Sequence, residues 1–264
     1  MYWLAVVGGL FFFRDKIGRF LMPYLPNLNP QVTVFYGHLI TLLAAIAYIL
    51  PIEFLGLAAV KRPLFVVSMW STILTAMFTI KANYNLPPMP ENFSLTNWRQ
   101  SLAPIQPWLQ KAMMGVDFHF LFFALIFLTS NPSIWPPLIL GRRSLWNVGT
   151  HCTRAHADKR VWRLFAPTWE KLKAKEKEVL HYFAMAEIVL GFYLAVSLVL
   201  PTRQILVCLL YWNYLTTRYQ VPRSHELHHQ AWVQLGQQAE PVLKVMPFLR
   251  KPIEMAKGYF KQRT

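Results

Sequence analysis

Residues 32–50 read VTVFYGHLITLLAAIAYIL, nineteen positions without a charged side chain, closed by Pro51. A helix needs about 20 consecutive apolar residues to cross the hydrocarbon of a bilayer, so this stretch can span by itself. Residues 52–60 continue apolar apart from Glu53 up to Lys61 and Arg62, and residues 64–80 add seventeen uncharged positions before Lys81. The two runs predict a helical hairpin over 32–80. Read outward from here, the chain is expected to be all-α: a polytopic membrane protein of helical hairpins with amphipathic helices at its C-terminal end.

Composition agrees. Of the 264 residues, 55% are hydrophobic and only 15% charged, against roughly 25% charged in soluble domains. Mean hydropathy is +0.29, and the formal net charge of +15 is concentrated between the apolar runs. Two cysteines, Cys152 and Cys208, exclude a disulfide framework and CxxC metal sites. The opening MYWLAVVGGLFFF has no basic residue before it and is followed by Arg14, Lys16 and Arg19. It lacks the form of a cleaved signal and is short of a span, so residues 1–31 are expected to stay attached as an interfacial or re-entrant segment.

Further along, Pro87, Pro88, Pro90, Pro104 and Pro107 mark residues 84–111 as a surface loop with at most short helices. Residues 113–129 are apolar and rich in Phe, carry Asp117 and His119, and end at Asn131 and Pro132. With the short run 138–140 they predict a re-entrant hairpin or bent span over 113–141. Residues 142–177 hold ten Lys or Arg against three acids, the charge of a cytoplasmic loop; its juxtamembrane cations are Arg142, Arg143, Lys171, Lys173, Lys175 and Lys177. Thr168 fits an N-cap, from which one long helix is expected to run to Pro201. With residues 205–217 that helix completes a third hairpin, 179–217. Tyr211, Trp212, Tyr214 and Tyr219 crowd beside Arg218 as an interfacial aromatic belt would, with Tyr214, Arg218 and Tyr219 as its motif.

Residues 218–264 form a basic tail, eight Lys or Arg against three acids. Leu227, Ala231 and Leu235 recur at helical spacing, and later Ile253, Ala256 and Phe260 share a face flanked by Lys257 and Lys261. Such segments lie on membrane surfaces, where each basic residue near an anionic leaflet contributes about 1 kcal/mol. Lys244, Arg250, Lys251, Lys257, Phe260 and Lys261 are the expected surface-binding residues. The charge is juxtamembrane, which favours a lipid bilayer, anionic or curved, over nucleic acid.

Three chemistries compete for the polar residues. His151 and His156 form H-x4-H, and His225, His228 and His229 form H-x2-H-H, spacings used by membrane di-iron oxidases and hydroxylases. The eight ligands of such a centre are not all present, and Arg154, Lys159 and Arg223 would repel two cations. Asp117, His119, His181 and Glu187 lie in or beside apolar runs, where ionisable groups are costly and mark transport or structure. For Asp117, His119 and Glu187 the structural role is expected, orienting helices through hydrogen bonds to neighbours. No nucleophile with its base, P-loop or GxGxxG turn is present, and no cofactor is required.

The order MGVDFHFLFFALIFLTSNP, a basic stretch, EKEVLHYFAMAEIVLGF, then YWNYLTTRYQVPRS and a basic helical tail resembles the transmembrane protein 33 family, which includes Krüppel homologue 2 and fungal pore-membrane relatives. Asp117, His119, Asn131, Pro132, Glu187, Leu215, Thr216, Arg218 and Tyr219 carry the likeness; the histidine pairs do not. The resemblance implies a non-enzymatic protein of the endoplasmic reticulum and nuclear envelope that shapes tubular membrane. It also implies reticulon-type partners, a part in nuclear pore assembly and stress-response tuning, and a tail that binds curved membrane and import receptors.

Overall fold

The computed structural model describes residues 29–85, 103–200, 203–245 and 258. Among these residues the chain is all-helical and contains no strand. Asn29 caps the first helix, α1 (Pro30–Ile49), by accepting the Gln31 N–H at 3.0 Å, with Pro30 in the first turn, where its missing N–H leaves no bond unmade. A short 3-10 turn, Ile52–Leu55, leads into α2 (Ala58–Tyr84). The two pack closely. A Cβ on Gly37 would fall 2.0 Å from Thr75 Oγ1, and Ser71 Oγ donates to the Gly37 carbonyl at 2.7 Å. Small residues and hydroxyls let backbones approach in this way where lipid offers no hydrophobic drive for association. On the far side of α1, Tyr36, Ile40, Leu43 and Ile46 are exposed, an apolar stripe suited to acyl chains.

α3 (Ile105–Met113) and α4 (Val116–Leu128) follow, bent by 90° at Met114 and Gly115. Trp108 Nε1 donates to the Tyr84 carbonyl at 3.1 Å, pinning α3 to the end of α2. α4 is buried almost all round: Phe118, Phe120, Phe122, Phe123, Ile126 and Phe127 are each at most 4% exposed. A helix apolar on every side is enclosed by protein or faces lipid, and the burial of these side chains shows that α4 is enclosed by its neighbours.

α5 (Trp135–Ala155), α6 (Arg160–Ala174), α7 (Glu176–Ser197), α8 (Ile205–Gln220) and α9 (Pro222–Val245) complete the described chain. Among the described residues three helices, α1, α2 and α7, are long and apolar enough to cross a membrane, and the bent α3–α4 pair makes a fourth candidate. Over these residues the fold therefore is that of an all-helical membrane protein with three or four candidate spans.

Helix boundaries differ from the sequence reading in three places. The expected short run at 138–140 is the start of a 21-residue helix, because Pro136 and Pro137 fall in its first turn, where proline is tolerated. The expected basic loop 142–177 is mostly helical, comprising the rest of α5 and all of α6. The expected unbroken helix from Thr168 is two: Thr168 lies inside α6, and Lys175 (φ −99°, ψ 19°) separates α6 from α7. Residues 1–28, and with them the N-terminal apolar segment, lie outside the described residues, as does most of the surface loop.

Candidate functional site

Glu187 stands midway along α7, 1% exposed, in a helix otherwise apolar from Val179 to Ser197 apart from His181. A carboxylate buried alone would carry a heavy desolvation cost, and here three groups on two neighbouring helices answer it. Arg218 of α8 donates through Nε to Oε2 and through Nη2 to Oε1, both at 3.4 Å. This is the parallel two-point geometry that guanidinium offers a carboxylate. His228 of α9 meets Oε2 through Nε2 at 3.0 Å, while its Nδ1 faces the Ser224 carbonyl at 2.9 Å. Tyr211 of α8 donates its hydroxyl to the Glu187 carbonyl at 2.8 Å.

Both ring nitrogens of His228 therefore face acceptors. A carbonyl cannot donate, so Nδ1 is the donor to Ser224. Arg218, Glu187 and His228 form a three-helix clamp joining α7, α8 and α9.

A second ion pair lies alongside. Arg143 of α5, 6% exposed, is paired with Asp117 in the first turn of α4, where the N-terminal end of the helix dipole also favours an anion. Arg143 and Arg218 both lie over the ring of Phe120, their guanidinium carbons 4.2 and 5.8 Å from its centroid. Phe120 thus links the two pairs through cation–π contact. Beside them His119 meets the Tyr214 ring edge-on at 6.4 Å, and His119 Nε2, Tyr214 Oη and Arg143 Nη1 are buried with no hydrogen-bond partner.

The sequence-predicted residues fall into four groups. Asp117, His119 and Glu187 are brought to this buried cluster. Arg142 and Arg143, expected in a solvated loop, are instead inside α5: Arg143 is buried on Asp117, and the guanidinium of Arg142 lies over Phe183, 5.3 Å from its centroid. Tyr214, Arg218 and Tyr219, expected as an interfacial belt, turn inward, with Tyr211 and Tyr214 fully buried: Arg218 pairs with Glu187, the Tyr211 hydroxyl bonds the Glu187 carbonyl, and the Tyr214 ring packs against Phe123 and Tyr211. Tyr219 Oη lies 3.3 Å from His229 Nδ1.

Lys171, Lys173, Lys175, Lys177 and Lys244 are exposed. Arg250, Lys251, Lys257, Phe260 and Lys261 lie outside the described residues. The face of α9 carrying Leu227, Ala231 and Leu235 packs on Ala184 and Ile188 of α7 rather than on a membrane surface.

The histidines do not assemble into the di-iron pattern, the alternative reading of their spacing. His151 stacks on Phe35 of α1 at 4.4 Å with His156 beside it, while His228 is committed to Glu187 and Ser224. Among the described residues no three His, Cys, Asp or Glu side chains converge in a way that could hold a metal. The role of His228 was missed in the sequence. The available signal was the principle that an intramembrane acid has a named partner, and both Arg218 and the H-x2-H-H group were candidates for Glu187.

Asp117, Arg143, Glu187, Arg218 and His228 all fall within residues 103–245, which match the family described as Transmembrane protein 33/Nucleoporin POM33. The match covers more than half of the chain. The chain belongs to that family. No curated protein and no solved structure matches it. The matched segment starts just before α3 and ends with α9, so the family region contains both ion pairs and the bent helix pair, and the α1–α2 hairpin stands outside it.

Proposed function

We propose that this family member organises and bends endoplasmic reticulum and nuclear envelope membrane as a non-enzymatic scaffold. In this reading it serves as adaptor for reticulon-type proteins, nuclear pore components and import receptors. The observation that carries the shaping role is the 90° bend between α3 and α4. The 13 residues of α4 extend about 20 Å at 1.5 Å per residue, short of the ~30 Å hydrocarbon core. The pair therefore takes up more area in one leaflet than in the other, and unequal leaflet areas favour curvature. The Asp117–Arg143 pair ties the first turn of α4, next to the bend, to α5, and Trp108 pins α3 to the end of α2, which supports a fixed wedge. The tail, with Arg250, Lys251, Lys257, Phe260 and Lys261, adds a surface-binding segment in the same reading.

The test is reconstitution of the full chain into vesicles over a series of protein-to-lipid ratios, imaged by electron microscopy. Tubules or a fall in vesicle diameter that grows with protein supports the proposal. Unchanged vesicles at every ratio overturn it. A chain ending at residue 245 separates the contribution of the tail from that of the helices.

A further inference from the structure

α6 presents three different surfaces around its 15 residues. At 100° per residue, Trp162, Ala166 and Trp169 share the side turned to the protein. Trp169 is 5% exposed, and its ring sits where a Cβ on Gly149 of α5 would be, 2.6 Å away. It meets Trp146 edge-on at 5.7 Å. A quarter-turn round the helix, Val161, Leu164 and Phe165 are 69%, 76% and 61% exposed, with Thr168 continuing the same line. Opposite them stand Arg163 and Glu170, both exposed. Arg160 and Lys171 flank the apolar line on the side of Leu164, and Lys173, also exposed, follows Trp169 at the C-terminal end of the helix.

An exposed line of Val, Leu and Phe flanked by cations is the pattern of a helix lying in a lipid headgroup region. Two further observations fix the occupant. α6 passes into the span α7 through the single residue Lys175, so its C-terminal end is held at a bilayer surface. Its flanking charges, continued by Lys159, Lys175 and Lys177, complement an anionic leaflet and would oppose an apolar protein groove of like charge.

We propose that α6 is an interfacial anchor lying in the plane of an anionic leaflet, with Val161, Leu164 and Phe165 among the acyl chains and Arg160 and Lys171 at the phosphates. The indole of Trp169 fixes the roll of the helix by locking its inner side to α5, so the apolar line faces the lipid without rearrangement. The anchor concerns the position of α6 alone and holds whether or not the protein bends membrane.

The unmodified full chain, reconstituted into vesicles of phosphatidylcholine and phosphatidylserine that contain a lipid with a diazirine in its acyl chain, tests this directly. After photolysis, mass spectrometry should find lipid adducts on Leu164 and Phe165 and none on Arg163 or Glu170. Replacing phosphatidylserine by phosphatidylcholine should lower the α6 adducts several-fold while leaving those on α1 and α7 unchanged. Adducts on α1 and α7 with none on α6 overturn the anchor, and so does zero-length cross-linking of α6 to α6 of a second copy in place of lipid. Equal α6 labelling in neutral lipid overturns the anionic preference.

A second measurement uses a chain with Cys152→Ser and Cys208→Ala that is spin-labelled at Leu164→Cys or Glu170→Cys. Oxygen should reach the first label and an aqueous nickel chelate the second. Equal chelate access at both overturns the insertion.

Discussion

At the scale of single residues, Glu187 is the most consequential side chain, because three groups on two other helices depend on it. In the variant Glu187→Gln the carboxylate charge disappears while Arg218 and His228 stay buried. Removing one partner of a buried pair costs about 3–5 kcal/mol, so thermal unfolding in detergent should shift down by many degrees. Arg218→Gln should cost a similar amount, and the double variant should cost far less than the sum, since residues in one network are not additive. Strict additivity would show that the pair is not coupled.

Glu53→Gln is the matching control. Glu53 faces Lys61 at the exposed turn between α1 and α2, and the hydrogen bond from Lys61 is the main cause that holds its carboxyl below the usual range. Being solvated, that pair should leave the melting temperature unchanged when it is removed.

His151 gives a pH test. Burial first and the neighbouring His156 second hold its ring below the ordinary histidine value, so the neutral form is the one that stacks on Phe35. Its contribution is complete above about pH 6.5 and is lost as pH falls through the lowered value of the folded protein. Acidification from pH 7 to 5 should therefore destabilise the native chain more than His151→Gln. Equal losses would remove His151 from the cause. The sequence made Glu187 and Asp117 legible as intramembrane acids in need of partners, since each interrupts an apolar run. Their partners were not legible, because Arg143 and His228 lie in polar stretches that read equally well as a loop and as an iron box.

At the scale of elements, the long uncharged runs 32–50 and 64–80 were readable because length and polarity decide a span without any tertiary information. α6 was not readable. Its alternation of basic and apolar residues resembles a charged loop, and Thr168 has the form of an N-cap, which placed the helix start there. A proline inside a helix, here Pro167, removes one backbone bond and crowds the carbonyl four residues earlier, that of Arg163 on the exposed side, where water can satisfy it. What holds α6 in place is contact with α5, and that was invisible before Gly149 and Trp169 were seen together. The variant Gly149→Val fills the space of the indole and should undock α6. Trypsin cleavage at Lys171, Lys173 and Lys175 should then rise several-fold with little change in global melting, since α6 adds few residues to the core. Trp169→Ala should reproduce the effect. An unchanged cleavage rate in both variants would mean that α6 is held by something other than this contact.

At the scale of the whole molecule, the α1–α2 hairpin lies outside the segment matched to the family, yet it is packed into the bundle. Ala45 of α1 is 1% exposed and lies against Gly141 of α5, where an added Cβ would come within 3.1 Å of the Ala45 methyl. His38 of α1 meets Ser144 of α5 at 3.3 Å, and Phe65 and Met69 of α2 belong to the same apolar core as the Phe-rich α4. Helices in a bilayer are each stable before they associate, and close contacts between small residues then bring them together.

The chain should therefore tolerate being divided within the proline-rich segment between α2 and α3. Residues 1–95 and 96–264, produced together from separate messages with an affinity tag on the second only, should purify as a complex. Ala45→Leu in the first piece places a larger side chain against Gly141 and should abolish co-purification while leaving that piece inserted in the membrane, as alkaline extraction would show. Co-purification that survives Ala45→Leu would mean that the α1–α5 contact is not what joins the hairpin to the family region. Failure of the unsubstituted pieces to associate would mean that the covalent connection, and not helix packing, keeps the hairpin in place.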